Sequence, residues 1–403
     1  MILKAAWVLP VTGAPIRNGA VRIAADHIVG VGPAETLEGQ GEPTTDLGTV
    51  ILMPGLINAH THLELTCYAD QLAPGPFWSW LPELVVRRAA PGQIEREGRG
   101  VHDGAWQSLR VGVTCVGDIS RRNVHWRALK AIPIRKVCYV ELLSLADDPP
   151  RNPDELRAAV AEVEEDELLT VGVTPHAPYS VPAEQIQAAL RLATELHRPW
   201  CTHWAETREE RAFLLGDTGA LPGYMRDLLA QCQLRSPGLS AIEFLEQCAR
   251  DARPGMLAHF NYAQPGDAER LAAAGHVVVY CPRAHHFFGH APHPWRSLMS
   301  AGVTVAIGTD SSASNENLAL LGELRFVCKH TPDPPPAELL LQTITTHAAR
   351  ALGLDGQIGA LETGRLADLA AFACSSAVDK PVADLIERAP AAAGVWVAGE
   401  RVI

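Results

Sequence analysis

The sequence predicts an α/β protein: a (β/α)8 TIM barrel carrying a small β-sandwich domain built from both chain ends. Three observations predict it. Short apolar segments alternate with helical stretches through the middle of the chain. Strand patterns broken by turn residues occupy both ends. Histidine and carboxylate residues fall just after the apolar segments. Strands interleaved with helices give a parallel sheet, and eight of them close most simply into a barrel. The 403 residues suit such a barrel plus a smaller module.

Taken in order, residues 1–53 read as short strands, "AAWVLPVTG", "GAVRIAADHIVGVG" and "TVILMP", punctuated by Gly13, Asn18–Gly19 and Gly30. The eight barrel strands are expected at 51–59, 112–117, 137–143, 169–175, 199–203, 255–260, 276–281 and 303–309. Helical stretches fall between them at 153–167, 182–197, 267–275 and 335–353. Pro182 suits a first helical turn, and Gly275 and Gly353 suit C-terminal stops. Strand patterns then return in "GALETGRLADLAAFA" and "GVWVAGERVI". The expected division is therefore 1–53 with 355–403 as one composite β-sandwich, and 54–354 as the barrel.

Composition excludes some functions. A net charge of −12 without a basic patch argues against nucleic acid or an anionic membrane as partner. No segment approaches 18 uninterrupted apolar residues, so no membrane span is expected. The nine cysteines are odd in number and scattered, with no C-x-x-C, which suits a reduced cytoplasm. The opening "MILKAAWVLPVTG" is interrupted by Lys4 and Pro10, so it reads as a strand and not as a secretory signal.

The strand ends carry the chemistry. The first expected strand runs into His60-Thr-His62, the second into Asp118 and the fourth into His176. The fifth meets His203 and Glu206, the sixth His259, the seventh Arg283, and the eighth Asp310. In a barrel all of these converge on the C-terminal mouth. A single histidine after a strand is more often structural; recurrence at five or six strand ends is not. His60 and His62 share a strand face, because alternate residues point the same way. Two imidazoles so placed can chelate one divalent metal, with His203 and Asp310 adding a nitrogen and an oxygen. Zinc, or else iron, accepts that mixed set, and an open position leaves room for an acidified water.

The segments "PGLINAHTHLE", "TPHAPYS", "THWAETREE", "HFNY", "IGTDSSASN" and "GALETGRLADLAAF" resemble the amidohydrolase superfamily, in its branch of aminohydrolases and chlorohydrolases. The resemblance covers nearly the whole chain. It implies metal ligation by His60, His62, His203 and Asp310. It also implies proton transfer by Glu206, polarisation of the attacked group by His259, and substrate contact by His176. Binuclear members bridge their metals with a lysine from the fourth strand. Here the five lysines are 4, 130, 136, 329 and 380, and His176 stands at that strand end, so one catalytic metal is expected.

The expected reaction is hydrolytic deamination of an aminated heterocycle. Asp310 takes a proton from the metal-activated water, the hydroxide attacks an sp² ring carbon, Glu206 protonates the neighbouring ring nitrogen, and ammonia leaves. The stretch "HLELTCYADQLAPGPFWSWL" is similar to the aminodeoxyfutalosine deaminases, and "PHAPYS" also fits the methylthioadenosine/adenosylhomocysteine deaminases. "CPRAHHFFGHAPHPW" at 281–295 departs from both. Further substrate contacts are expected from Glu64 at the pocket wall, Trp78 by stacking, Arg283 toward a carboxylate, and His286 within the histidine-rich loop. For Glu64, Trp78, Arg283 and His286 taken singly, a structural role competes.

Rival readings are a same-fold hydrolase expelling another group (triazine chlorohydrolase, guanine deaminase or cyclic amide hydrolase) and, remotely, a non-catalytic binding protein. "HLE" matches a cytidine-deaminase-type motif, but the required P-C-x-x-C is absent. The expected partner is a small heterocyclic substrate. The resemblance implies a homodimer, which no residue of the chain signals by itself.

Overall fold

The computed structural model describes residues 1–37, 41–123, 125–145, 149–375 and 378–403. Eight strands form two four-stranded parallel sheets in chain order. The first holds β1 (Leu56–Thr61), β2 (Val113–Ser120), β3 (Arg135–Leu142) and β4 (Leu169–Pro175). The second holds β5 (Cys201–Trp204), β6 (Met256–His259), β7 (Val277–Tyr280) and β8 (Thr304–Ile307). Six of the eight are buried along their whole length, as parallel strands covered on both faces should be. The sheets meet at both edges: parallel bridges join Val173 to Trp200 and Thr61 to Asp310. Helices lie between the strands, including Pro153–Glu162, Ala183–Glu195 and Asp267–Ala274. Gly275 ends the last of these at φ 74°, as its position in the sequence suggests.

Both chain ends enter one further sheet of eight strands. Its order is Glu400–Arg401, Ala392–Val397, Leu369–Ala373, Val50–Pro54, Ile2–Val8, Ile16–Ala24 and His27–Pro33, with Thr44–Asp46 also paired to Ile2–Val8. Leu369–Ala373 runs antiparallel to Val50–Pro54, with Ala371 opposite Leu52.

Three expected elements differ. The strand at 51–59 is two strands in different sheets, broken at Gly55. A β-carbon there would lie 1.9 Å from Thr114 Oγ1, so only glycine lets the chain cross between the sheets. The helix at 335–353 is two, Ala337–Thr343 and Thr346–Ala351. Between them the Ile344 carbonyl accepts from the Ile57 N–H at 2.9 Å, tying the break to β1. The aromatic stretch after β1, for which no helix was expected, is a helix, Phe77–Arg88. Pro82 inside it cannot donate to the Trp78 carbonyl, and the Tyr224 hydroxyl does so instead at 3.0 Å.

Candidate active site

At the ends of β1 and β5, the ring nitrogens of His60, His62 and His203 lie within 4.8 Å of one another. His62 Nε2 is 3.3 Å from His203 Nε2. Asp310, just past β8, places Oδ1 3.7 Å from His62 Nε2 and 4.0 Å from His60 Nε2. Donor atoms of these types gathered this closely could share one cation.

The local chemistry fits a metal. Both ring nitrogens of His60 are buried without a hydrogen-bond partner, which is costly for a polar group unless something coordinates it. His203 Nδ1 donates to the His176 carbonyl at 3.0 Å, leaving the Nε2 lone pair for a cation. Burial, reinforced by neighbouring imidazoles, holds His60 and His62 well below the usual histidine range and brings His203 down to about 4. All three are therefore neutral at pH 7, the state a metal needs.

Beside this cluster, Glu206 Oε1 lies 3.6 Å from His259 Nε2. Burial, with Asp310 and Glu210 nearby, raises the Glu206 carboxyl well above its ordinary range, which favours the protonated form. Burial also raises Asp310 to about 7, against the hydrogen bond from Ser314.

The backbone is bent to present these groups. Ala205, His259 and Asp310 have positive φ of 52°, 72° and 58°, a region that residues with a β-carbon seldom occupy. The Glu210 carboxylate accepts from the N–H groups of Ala205 and Glu206 at 2.8 and 2.9 Å, and Asn261 donates to the Glu206 carbonyl at 2.8 Å. Gly308 in turn allows β8 to lie on β1: a β-carbon there would come within 2.7 Å of the His60 carbonyl oxygen.

A cavity of about 1120 Å³ opens onto His62, His176, His203, Glu206, His259 and Asp310. His60 lies behind it, wholly buried. Four expected contacts do not line it. Glu64 turns inward, paired with Arg88 and 3.3 Å from His125 Nε2. Arg283 is held by Glu323 at 2.6 Å and by Asn317. His286 packs against Phe326 and His330. Trp78 donates to Thr207 Oγ1 at 3.1 Å and meets Tyr179. On a helix, Trp78 and Trp80 face different ways, and it is Phe77 and Trp80 that reach the cavity. The other histidines of the 281–295 loop also stay outside: His293 donates to the His259 carbonyl at 2.7 Å, supporting that strand end. Sequence reasoning passed over Arg88, Arg121, Arg122 and Glu141, all of which line the cavity. Glu141 had a signal, a lone carboxylate near the end of the apolar run "VCYVELL".

The profile of the amidohydrolase family matches residues 51–402. The chain is 32% identical to a 5-methylthioadenosine/S-adenosylhomocysteine deaminase of Syntrophobacter fumaroxidans, over 87% of this chain and 79% of the relative. It is 29% identical to an aminodeoxyfutalosine deaminase of Deinococcus radiodurans, over 80% and 78%. Its fold is similar to that of Helicobacter pylori aminofutalosine deaminase in complex with methylthio-coformycin (TM-score 0.90, 24% identity, all of both chains). It is also similar to a zinc-bound adenosine deaminase of Xanthomonas campestris (TM-score 0.83, 25% identity, 99% and 92%).

Proposed function

The chain belongs to the amidohydrolase family of metal-dependent hydrolases, and we propose that it deaminates an adenine nucleoside, releasing ammonia. It is a hydrolase acting on C–N bonds. One observation carries the reading: Glu206 and His259 stand 3.6 Å apart, beside the cluster of His60, His62, His203 and Asp310, on one cavity. Aminodeoxyfutalosine is the first substrate to test, followed by methylthioadenosine and S-adenosylhomocysteine. The cavity exceeds the roughly 300–1,000 Å³ common for drug-sized ligands, leaving room for a substituted nucleoside. Leu81, Val85, Val86 and Ile94 make part of its wall apolar.

His60, His62, His203 and Asp310 would hold one divalent ion, zinc by analogy with the zinc-bound adenosine deaminase. Such an ion supplies a water acidic enough to attack at neutral pH. Asp310 takes the proton from the attacking water and passes it to the departing amino group, which leaves as ammonia. Glu206 gives its proton to the ring nitrogen beside the attacked carbon, where negative charge would otherwise develop. His259 orients and polarises the amino-bearing carbon. His176, its Nδ1 2.6 Å from Ser180 Oγ, is fixed to contact the base.

We also read the two parallel sheets as one closed barrel, because backbone bridges join them at both edges. We read the chain ends, which share one eight-stranded sheet, as a unit of their own, with Gly55 at the crossing between units. Among the described residues no helix is long and apolar enough to cross a membrane. All nine cysteines are free thiols, which suits the cytoplasm. A homodimer follows from the family resemblance alone.

The test is ammonia release by zinc-loaded protein from aminodeoxyfutalosine, methylthioadenosine, S-adenosylhomocysteine, adenosine, guanine and a chlorotriazine. Ammonia from an adenine nucleoside is the expected result. Chloride release alone, or silence across the panel with zinc bound, would overturn the nucleoside reading.

A further inference from the structure

We propose that Glu141 reads the sugar of the substrate, its carboxylate accepting hydrogen bonds from the vicinal hydroxyls of a ribose; this rests on the nucleoside reading above. Six glutamates are buried among the described residues: Glu64, Glu97, Glu141, Glu206, Glu210 and Glu323. Four have protein donors. Glu64 and Glu97 share Arg88, Glu210 holds two backbone N–H groups, and Glu323 holds Arg283 and Asn315. The side chains of Glu141 and Glu206 accept no hydrogen bond from any described residue, and both line the cavity. A buried carboxylate without a donor is costly, and at the C-terminal end of a barrel strand its natural partner is a ligand.

Position narrows the ligand. A Glu141 oxygen lies within 4.8 Å of ring nitrogens of both His176 and His203. The His203 ring centroid is 5.5 Å from that of His259, which faces Glu206. Glu141 therefore neighbours His176 and His203 on the cavity wall, whereas Glu206 neighbours His259. The Glu141 carboxyl group offers its oxygens as hydrogen-bond acceptors. The only N–H donor of an adenine base is the amino group that departs, whereas the attached ribose offers two adjacent hydroxyls. A sugar diol presents paired donors to a single carboxylate, as in dinucleotide sites.

Glu141, His176 and His203 also have the spacing of a second metal site. His203, however, has donated Nδ1 to a carbonyl, so its one free nitrogen serves the first cluster.

The experiment compares kcat/KM for adenosine, 2′-deoxyadenosine and 3′-deoxyadenosine in wild type, Glu141→Gln and Glu141→Ala, with zinc content measured for each. The wild type is expected to lose roughly 10- to 100-fold when a contacted hydroxyl is removed, the scale of a hydrogen bond to a charged group. Glu141→Ala should lose a similar factor on adenosine, no longer distinguish the deoxy forms, and keep its zinc. Unchanged discrimination in Glu141→Ala, or loss of zinc with it, would overturn the assignment while leaving deamination intact. A wild type that releases no ammonia from any nucleoside counts against the deaminase reading instead. Calorimetric binding of inosine, 2′-deoxyinosine and 3′-deoxyinosine then decides Glu141: hydroxyl dependence that vanishes in Glu141→Ala supports it, and no binding or no such dependence overturns it.

Discussion

Glu206 and His203 are three residues apart, yet their removal should have opposite signatures. Glu206 touches none of the four clustered donors at bonding distance; its near neighbour is His259. Glu206→Gln keeps the shape and removes the proton, so kcat should fall by about 10²–10⁴-fold while bound zinc stays stoichiometric. His203→Ala removes a nitrogen that lies 3.3 Å from His62 Nε2, so metal and activity should be lost together. Elemental analysis beside steady-state rates separates the two; full activity in the first, or full metal in the second, would sink the assigned role. The cluster of His60, His62, His203 and Asp310 was legible because each member follows an apolar run of recognisable length. Glu64, Trp78, Arg283 and His286 were misplaced because chain proximity does not set direction. Glu64 is two residues from His62, but it points into a buried cluster with Arg88 and His125, and neither partner lies near it in sequence.

That cluster belongs to the elements that carry the cavity wall. The 3₁₀ turn Leu63–Tyr68 supplies Glu64, the helix Phe77–Arg88 supplies Arg88, and the helix Gln93–Arg110 supplies Glu97. Burial works against charge on Glu97. The hydrogen bond from His125 and the charges of Arg88 and Arg122 overcome it and hold the carboxyl down at about 2. A depressed pKa means that this stabilisation is complete above the ordinary value of 4.5 and is lost as pH falls from there toward 2. Glu97→Gln should therefore cost about 3–5 kcal/mol at pH 7, the scale for breaking a buried pair. Its difference from wild type should shrink as pH drops below 4.5. Urea denaturation of both proteins at pH 7 and pH 3 reads this directly, and an equal gap at both would contradict the charge state. The helix Phe77–Arg88 itself escaped sequence reading because Pro82 and a run of aromatics look like a loop. The missing donor is compensated by Tyr224, 142 residues past Pro82 in the chain, and no local pattern can announce such a partner.

Across the whole molecule, a buried ion pair links the sheet built from the chain ends to the parallel strands. Arg135, at the start of β3, places Nε 2.6 Å from Asp368 Oδ2 and Nη2 3.1 Å from Oδ1. Asp368 also accepts from the Ala398 N–H at 2.8 Å, and its carbonyl accepts from Gly55 N–H at 2.9 Å. One aspartate thus holds the crossing point, the last strands and the parallel sheet together. The alternation of strands with helices revealed the architecture, but this joint spans 233 residues and has no sequence signature. Asp368→Ala leaves the Arg135 guanidinium buried without a carboxylate, which should cost about 3–5 kcal/mol. Replacing both partners, with Arg135→Met and Asp368→Leu, should recover much of that loss, because a buried pair and an apolar pair of similar size often differ little in net stability. Arg135 begins β3 and Glu141 lies near its other end, so neither variant should change zinc content or kcat below its unfolding transition. An Asp368→Ala protein as stable as wild type would show that the two sheets are held together elsewhere. One that is folded but inactive would place the joint within the catalytic machinery, contrary to the separation of stability at the strand starts from chemistry at the strand ends that barrels of this kind maintain.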